Sequence, residues 1–141
     1  MQRVSEARVE VGGEVTGQID RGLLVLLGIE SDDDLLRMRK LMDKCLSYRM
    51  FSDPDGKMNL SVKDIEADVL LVSQFTLCAD TQKGLRPSFS RGAPPVLAEQ
   101  LYDDAVAYVA SCLGSVQTGC FAADMQVHLV NDGPVTFMLE S

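Results

Sequence analysis

Two continuous apolar runs constrain the fold of this 141-residue chain more than any other feature. The first spans Leu23 to Ile29, and the second begins at Val69 and closes on Ser73 to Leu77. Each has the length of a strand and lacks the strict alternation of a strand with one solvated face, so each predicts a strand buried on both sides. The chain must therefore cover a central sheet with further layers.

Two amphipathic segments predict the helices that cover it. The first has capping residues at Ser31 to Asp34, ends near Tyr48, and carries apolar residues at helical spacing: Leu35, Met38, Met42, Cys45 and Leu46. The second runs from Pro95, a plausible first-turn proline, to Gly114, with one face formed by Leu97, Leu101, Ala105, Tyr108 and Cys112. Both Cys45 and Cys112 are interpreted as small core residues.

Shorter signals predict the remaining strands. Ala7, Val9 and Val11 alternate with polar residues up to a hairpin signal at Gly12-Gly13, and Asp53 to Gly56 predicts a second turn. Segments 121–130 and 135–139 are predicted as strands on either side of a turn at 131–134. Seven or eight strands and two helices favour a mixed α/β sheet layered with helices, in a single domain over residues 1–141.

Composition excludes several classes of protein. No apolar run approaches the roughly 18 residues of a membrane span, and the charged first ten residues do not resemble a signal peptide, so the cytoplasm is expected. The four cysteines have no metal-site or redox spacing, so neither a metal nor a cofactor is expected. A net charge of −8 argues against DNA binding and against a long RNA footprint.

Two motifs remain that the core does not explain, Ser73-Gln74-Phe75-Thr76-Leu77 and Asn131-Asp132-Gly133-Pro134-Val135-Thr136. With Lys83-Gly84-Leu85-Arg86-Pro87-Ser88-Phe89, they resemble the D-aminoacyl-tRNA deacylases, which remove D-amino acids from mischarged tRNA. The resemblance implies a three-layer α/β/β, barrel-like homodimer that binds the 3′ end of aminoacyl-tRNA. A few residues usually precede Gln2-Arg3-Val4 in this family, so a short first strand is expected here.

The residues offer little conventional catalysis. Thr76 is the obvious hydroxyl, but a nucleophilic threonine needs a base, and the single histidine, His128, is predicted to face away from the apolar side of its strand. Thr76 is therefore read as a strand residue and His128 as a surface residue.

The resemblance supplies another chemistry for the catalytic segment. It implies that the terminal ribose 2′-hydroxyl assists water, that backbone N–H groups at Phe75 and Thr76 stabilise the oxyanion, and that Ser73 and Gln74 orient the loop and the adenosine. An ordinary hydroxyl at the end of a strand is the alternative for Ser73.

The resemblance also assigns selectivity and tRNA binding. It implies a cis Gly133-Pro134 that enters the partner's pocket and excludes L-amino acids, held by Arg3, with Phe89 beside the pocket. Lys83, Arg86 and Arg91 would position acceptor phosphates. The alternatives are a plain turn for Gly133-Pro134, a surface ion pair for Arg3, and a solvated loop for Lys83 to Arg91.

The predicted activity is hydrolysis of D-aminoacyl-tRNA and of mischarged glycyl-tRNA. A deacylase of relaxed chirality is one rival, although both motifs differ in that group. A non-catalytic tRNA-binding module is the other, and it would not accelerate deacylation.

Overall fold

The computed structural model describes residues 1–141. Its elements in chain order are β1 (Gln2–Val11), β2 (Glu14–Ile19), β3 (Gly22–Leu27), α1 (Leu35–Ser47), β4 (Phe51–Ser52), β5 (Met58–Leu60), β6 (Asp68–Ser73), a 3₁₀ turn (Phe75–Cys78), α2 (Pro95–Leu113), β7 (Gln117–Thr118) and β8 (Gln126–Thr136). The hairpin at Gly12-Gly13 and the turn before β5 are confirmed.

Six strands form one mixed sheet that nearly closes on itself. Its order is β2-β1-β3-β6-β7, with β8 also pairing β1, and β3 runs parallel to β6. The edge strands β2 and β7 meet where the Thr16 hydroxyl donates to the Thr118 carbonyl at 3.3 Å. A Cβ at Gly17 would lie 2.3 Å from that same carbonyl oxygen, so glycine lets the edges approach. The predicted mixed, barrel-like sheet with two helices is confirmed.

The two faces of the sheet bury separate apolar cores. Alternate residues of β3 divide between them, with Leu23 and Leu27 packed under the helices and Leu24 packed inside the curved sheet. Seventeen buried residues form the helix-side core and seven form the inner one, so both apolar runs are covered on both faces. The sequence prediction for these strands is correct up to Leu27 and Ser73.

Local capping sets the bounds of both helices. The Asp34 carboxylate accepts the Arg37 N–H at 2.8 Å at the start of α1, and Gly114, at φ 85°, ends α2. Leu35 and Cys112, predicted as core residues, are instead exposed. Leu35 belongs to the first turn of α1, ahead of its buried stripe. The packed face of α2 includes Leu97, Leu101, Ala105 and Tyr108 as predicted, but it continues to Leu113 instead of Cys112.

Three strand predictions are wrong. The second apolar run leaves the sheet at Ser73 and forms the 3₁₀ turn, because its last residues contain polar side chains that a buried strand cannot satisfy. Segments 121–125 and 137–139 lie outside any strand, and residues 131–134 belong to β8 instead of a turn between two strands. The first strand is ten residues long and pairs with three neighbours, so the expectation of a short strand is also wrong.

No helix has both the length and the apolar character that crossing a membrane would require.

Candidate functional site

The segment after β6 presents backbone N–H groups at the carboxyl end of two parallel strands. The Gln74 N–H donates to the Leu27 carbonyl at 2.8 Å, which fastens the start of the 3₁₀ turn to the end of β3. Phe75 and Thr76 are the first two residues of that turn. The first amides of a helix have no acceptor within it, so these two N–H groups are available to an external oxygen.

The side chains of this segment hold each other and do not form a nucleophile with a base. The Gln74 amide donates to the Thr76 hydroxyl. No carboxylate or imidazole is among the hydrogen-bond partners of Thr76, and His128 lies on the exposed side of β8, 3.5 Å from the Glu10 carboxylate. The prediction that His128 is a surface residue is confirmed, and Thr76 has no activating group.

Nor does the nearby cysteine supply a nucleophile. Cys78 is buried, its thiol lies 3.5 Å from the Ile29 carbonyl, and burial raises its pKa above the usual value for a thiol. A raised pKa keeps the thiol protonated and unreactive. No cluster of three histidine, cysteine, aspartate or glutamate side chains is positioned to hold a metal ion.

A cavity of about 470 Å³ opens beside the turn. One wall consists of Ser73, Gln74 and Phe75. The remaining wall is mostly apolar, and its residues come from β3, β6, α2 and β8 and from the segments after β3, before α2 and before β8: Leu27, Ile29, Val72, Ala93, Pro95, Ala98, Phe121, Ala122, Ala123, Met125 and Val127. An apolar recess with a few polar groups at one edge is typical of small-molecule sites.

An aromatic pair lies at this cavity, formed by one lining residue and its neighbour. The rings of Phe75 and Phe89 are 5.0 Å apart between centroids and tilted by 56°. Their exposed fractions are 65% and 41%, which is high for aromatic residues. Phe89 therefore contacts a residue of the cavity wall without lining the cavity itself.

Phe89 belongs to the loop between the 3₁₀ turn and α2. This loop doubles back through paired hydrogen bonds between Asp80 and Ser88, at 2.7 and 3.0 Å. Lys83 and Arg86 lie in its exposed tip, whereas the Arg91 guanidinium is 2.7 Å from the Glu30 carboxylate. Two of the three predicted phosphate-binding residues are thus free, and the third is engaged in an ion pair.

The Gly133-Pro134 segment projects from β8 as a wide bulge. Val4 of β1 pairs with Asn131, and the next pair is Gln2 with Thr136. One residue of β1 therefore lies opposite four residues of β8, which leaves three extra residues on β8. The Asn131 side chain spans the bulge by accepting the Val135 N–H at 2.7 Å. Gly133 has φ 147° and the peptide bond to Pro134 is cis.

Arg3 contacts this bulge directly. Its Nε donates to the Asp132 carbonyl at 2.8 Å and its Nη1 donates to the Met50 carbonyl at 2.9 Å. A Cβ on Gly133 would lie 3.2 Å from the Arg3 guanidinium and 2.6 Å from the Val135 side chain. Only glycine fits between these groups, so the bulge and Arg3 form one packed unit.

The two motifs do not meet within one chain. Arg3 pairs with Leu23 at the start of β3, whereas Leu27 lines the cavity at its end. These two positions of β3 are four residues apart, which corresponds to about 13 Å along the strand. None of the residues Asn131 to Thr136 lines the cavity.

Sequence reasoning missed the far wall of the cavity. Phe121, Met125 and Ala98 are the principal residues there, and Phe121 is backed by the Tyr102 ring at 5.9 Å between centroids. Segment 121–125 belongs to a segment predicted as strand, and Ala98 is not among the residues of the predicted apolar face of the second helix. No spacing pattern in the sequence links the three positions, which come together only because α2 and the approach to β8 pack across β6.

Sequence comparisons place this chain among proteins of nearly the same length. A family model described as D-Tyr-tRNA(Tyr) deacylase matches residues 1–140. The D-aminoacyl-tRNA deacylase of Legionella pneumophila (strain Lens) is 54% identical over 140 residues, covering 99% of this chain and 97% of that protein. The protein of the same name from Stutzerimonas stutzeri (strain A1501) is 60% identical over 141 residues, covering 100% and 97%.

Two solved structures share the fold. One, titled c-Myc DNA Unwinding Element Binding Protein, is 41% identical, has a TM-score of 0.94, and covers 99% of this chain and 95% of its own. The other, described as a probable eukaryotic D-amino acid tRNA deacylase, has a TM-score of 0.82 over 94% and 92% of the two chains. At 18% identity, the second likeness concerns the fold alone.

Proposed function

The chain belongs to the D-Tyr-tRNA(Tyr) deacylase family, and we propose that it is a cytoplasmic ester hydrolase that cleaves D-aminoacyl-tRNA. Water adds to the ester carbonyl carbon, the bond to the ribose oxygen breaks, and free D-amino acid and tRNA are released. The observation that carries this proposal is the cavity beside Ser73 to Phe75, which has apolar walls and backbone donors at its edge.

The amides of Phe75 and Thr76 are suited to an oxyanion. They come first in the 3₁₀ turn, whose start is fastened to β3, so they are oriented before the substrate arrives. A single preorganised donor of this kind typically contributes about 3 kcal/mol to transition-state stabilisation. Ser73 and Gln74 hold the loop and the terminal adenosine, and the ribose 2′-hydroxyl of the tRNA assists the attacking water.

Thr76→Ala tests whether the hydroxyl is a nucleophile. We expect a loss of about tenfold at most, or about 1.4 kcal/mol, because its hydrogen bond to Gln74 orients the turn but no base activates it. Single-turnover deacylation of D-tyrosyl-tRNA measures this, with Thr76→Val as the control of similar shape. A covalent aminoacyl-Thr76 species, or a loss of several thousandfold in a folded variant, would overturn the backbone-and-substrate mechanism.

We assign the selectivity for D- over L-amino acids to Gly133 and Pro134 of a second subunit. In this arrangement, their carbonyl oxygens meet the α-amino group of the substrate and leave no space for an L side chain, so selectivity comes from exclusion. Two observations support it: the bulge is fixed by Arg3 and Asn131, and it lies away from the cavity of its own chain.

The protein is accordingly expected to act as a homodimer in which each cavity receives Gly133-Pro134 from the other chain. Mass measurement in solution, by sedimentation or light scattering, should give twice the chain mass at working concentrations. A monomer that keeps full activity at nanomolar concentration would contradict the shared site.

The loop tip binds the acceptor end in this proposal. Lys83 and Arg86 are exposed cations in a chain of net charge −8, so they offer local attraction for a few phosphates without a long footprint. Arg91 contributes through its ion pair with Glu30, which fixes the base of the loop.

Paired time courses on D- and L-tyrosyl-tRNA test the function as a whole. We expect rapid hydrolysis of the D-ester and a rate near background for the L-ester. Rapid hydrolysis of both would favour a deacylase of relaxed chirality, and tRNA binding with neither ester cleaved would favour a non-catalytic binding module.

A further inference from the structure

The Phe75–Phe89 pair is an exposed aromatic surface with a fixed shape. The two side chains are 65% and 41% exposed, yet the rings remain in contact at 5.0 Å between centroids. Neither residue is among the core or core-packing residues of the two apolar clusters. Burial within this chain therefore does not explain why two aromatic rings meet there.

Several contacts hold the pair in place from the Phe89 side. The Gly92 N–H donates to the Phe89 carbonyl at 3.0 Å, and the Asp80–Ser88 pairing closes the loop just before the ring. The Arg91–Glu30 ion pair, with the Ser31 N–H donating to the Arg91 carbonyl at 3.0 Å, fastens the loop to the segment between β3 and α1. The rings are thus presented by an anchored loop, so little ordering is needed when a ligand binds.

The chemistry around the pair matches a nucleobase attached to phosphate. Lys83 and Arg86 lie on the same loop, and Leu85 between them is fully exposed. An aromatic face stacks on any base, while nearby cations balance the backbone charge, and this combination is typical of single-strand nucleic-acid sites.

The position selects one nucleotide of the substrate. Phe75 lines the cavity that receives the terminal nucleoside in the proposed function, and Phe89 contacts Phe75 without lining the cavity itself. The preceding nucleotide is joined directly to the terminal one, so its base has to lie close to the cavity, where these rings are exposed. We propose that the Phe75–Phe89 pair stacks the base of the nucleotide that precedes the terminal adenosine. This inference rests on the proposed deacylase function.

The test compares a substrate that has the preceding nucleotide and the rest of the tRNA with one that has only the terminal nucleoside. D-tyrosyl-tRNA has the preceding nucleotide, whereas the D-tyrosyl ester of adenosine lacks it. For Phe89→Leu, which keeps apolar volume but removes the ring, the kcat/KM ratio of tRNA to adenosine ester is expected to fall about tenfold, through KM, as one stacked base implies. Phe89→Tyr, which keeps the ring, should restore the ratio.

Salt dependence separates stacking from charge. The fold-loss of kcat/KM that Phe89→Leu causes on D-tyrosyl-tRNA should be the same at low and high salt, because stacking releases no counterions. The deficit of Lys83→Gln should shrink as salt rises. A Phe89→Leu deficit that disappears at high salt would contradict stacking.

Other outcomes overturn the inference by different routes. An equal loss on both substrates would make the pair part of the cavity wall, and no loss on either would leave it without a substrate contact. A change in solution mass for Phe89→Leu would make it an interface between copies of the chain. If the wild-type protein cleaves neither ester, the proposed function fails and this inference fails with it.

Discussion

Glycyl-tRNA is expected to be cleaved by this protein, whereas L-tyrosyl-tRNA is expected to stay near its uncatalysed rate. A site that rejects L-amino acids through the carbonyl oxygens of Gly133 and Pro134 contains nothing that rejects a substrate without a side chain. The glycyl ester should therefore react within a few orders of magnitude of D-tyrosyl-tRNA. Parallel time courses with the three esters at equal enzyme concentration measure this.

The expected difference between glycyl-tRNA and L-tyrosyl-tRNA has a physical cause. A steric block in a rigid site imposes a penalty of several kcal/mol, because neither the packed bulge nor the substrate can move aside. A missing side chain loses only the contacts that it would have made, which are worth less. Glycyl-tRNA that proves as resistant as L-tyrosyl-tRNA would falsify exclusion and require direct recognition of the D side chain.

Arg3→Ala extends this prediction to the group that holds the bulge. It removes hydrogen bonds to the Asp132 and Met50 carbonyls without touching Phe75 or Thr76. Hydrolysis of L-tyrosyl-tRNA should rise at least about tenfold, or about 1.4 kcal/mol, as the exclusion weakens. Arg3→Lys is the matched control because it keeps the charge, and thermal unfolding of both variants separates loosening from unfolding. Unchanged L-selectivity in folded Arg3→Ala would show that the residue does not set chirality.

The sheet and helices were predictable because their signals are local. Leu23 to Leu27 can be buried on both faces only inside a layered structure, and Asp34 and Gly114 mark helix ends by their own capping chemistry. Cys112 was misplaced because a helical stripe of 19 residues drifts, and the packing of α2 on the sheet decides which residues it buries.

The candidate site was predictable only in part, for a different reason. Ser73 to Thr76 stand out because polar residues end an apolar run, a signal contained in the segment itself. The bulge at Asn131 to Pro134 was read as a turn because glycine and proline mark turns and bulges alike. Its place in β8 depends on the pairing with β1, and Arg3 lies 129 residues away in sequence from the Asp132 carbonyl to which it donates.

The far wall of the cavity had no sequence signal, and it gives the last prediction. Ala98 lies in the second turn of α2 and lines the cavity, whereas Val96 lies in the first turn, is exposed and does not line it. A cavity of about 470 Å³ falls in the lower half of the range of small-molecule sites, roughly 300–1,000 Å³. A tryptophan at Ala98 should therefore leave too little space for the terminal nucleoside.

For Ala98→Trp, kcat/KM on D-tyrosyl-tRNA is expected to fall at least about a hundredfold, or about 2.7 kcal/mol. Val96→Trp adds the same ring to the same helix outside the cavity, so its activity should stay within about twofold of wild type, or about 0.4 kcal/mol. Circular dichroism and thermal unfolding confirm that both variants fold, and steady-state kinetics compare them. Full activity in a folded Ala98→Trp variant would mean that the substrate does not enter this cavity, and the Phe75 and Thr76 amides would then have to act on an ester held elsewhere.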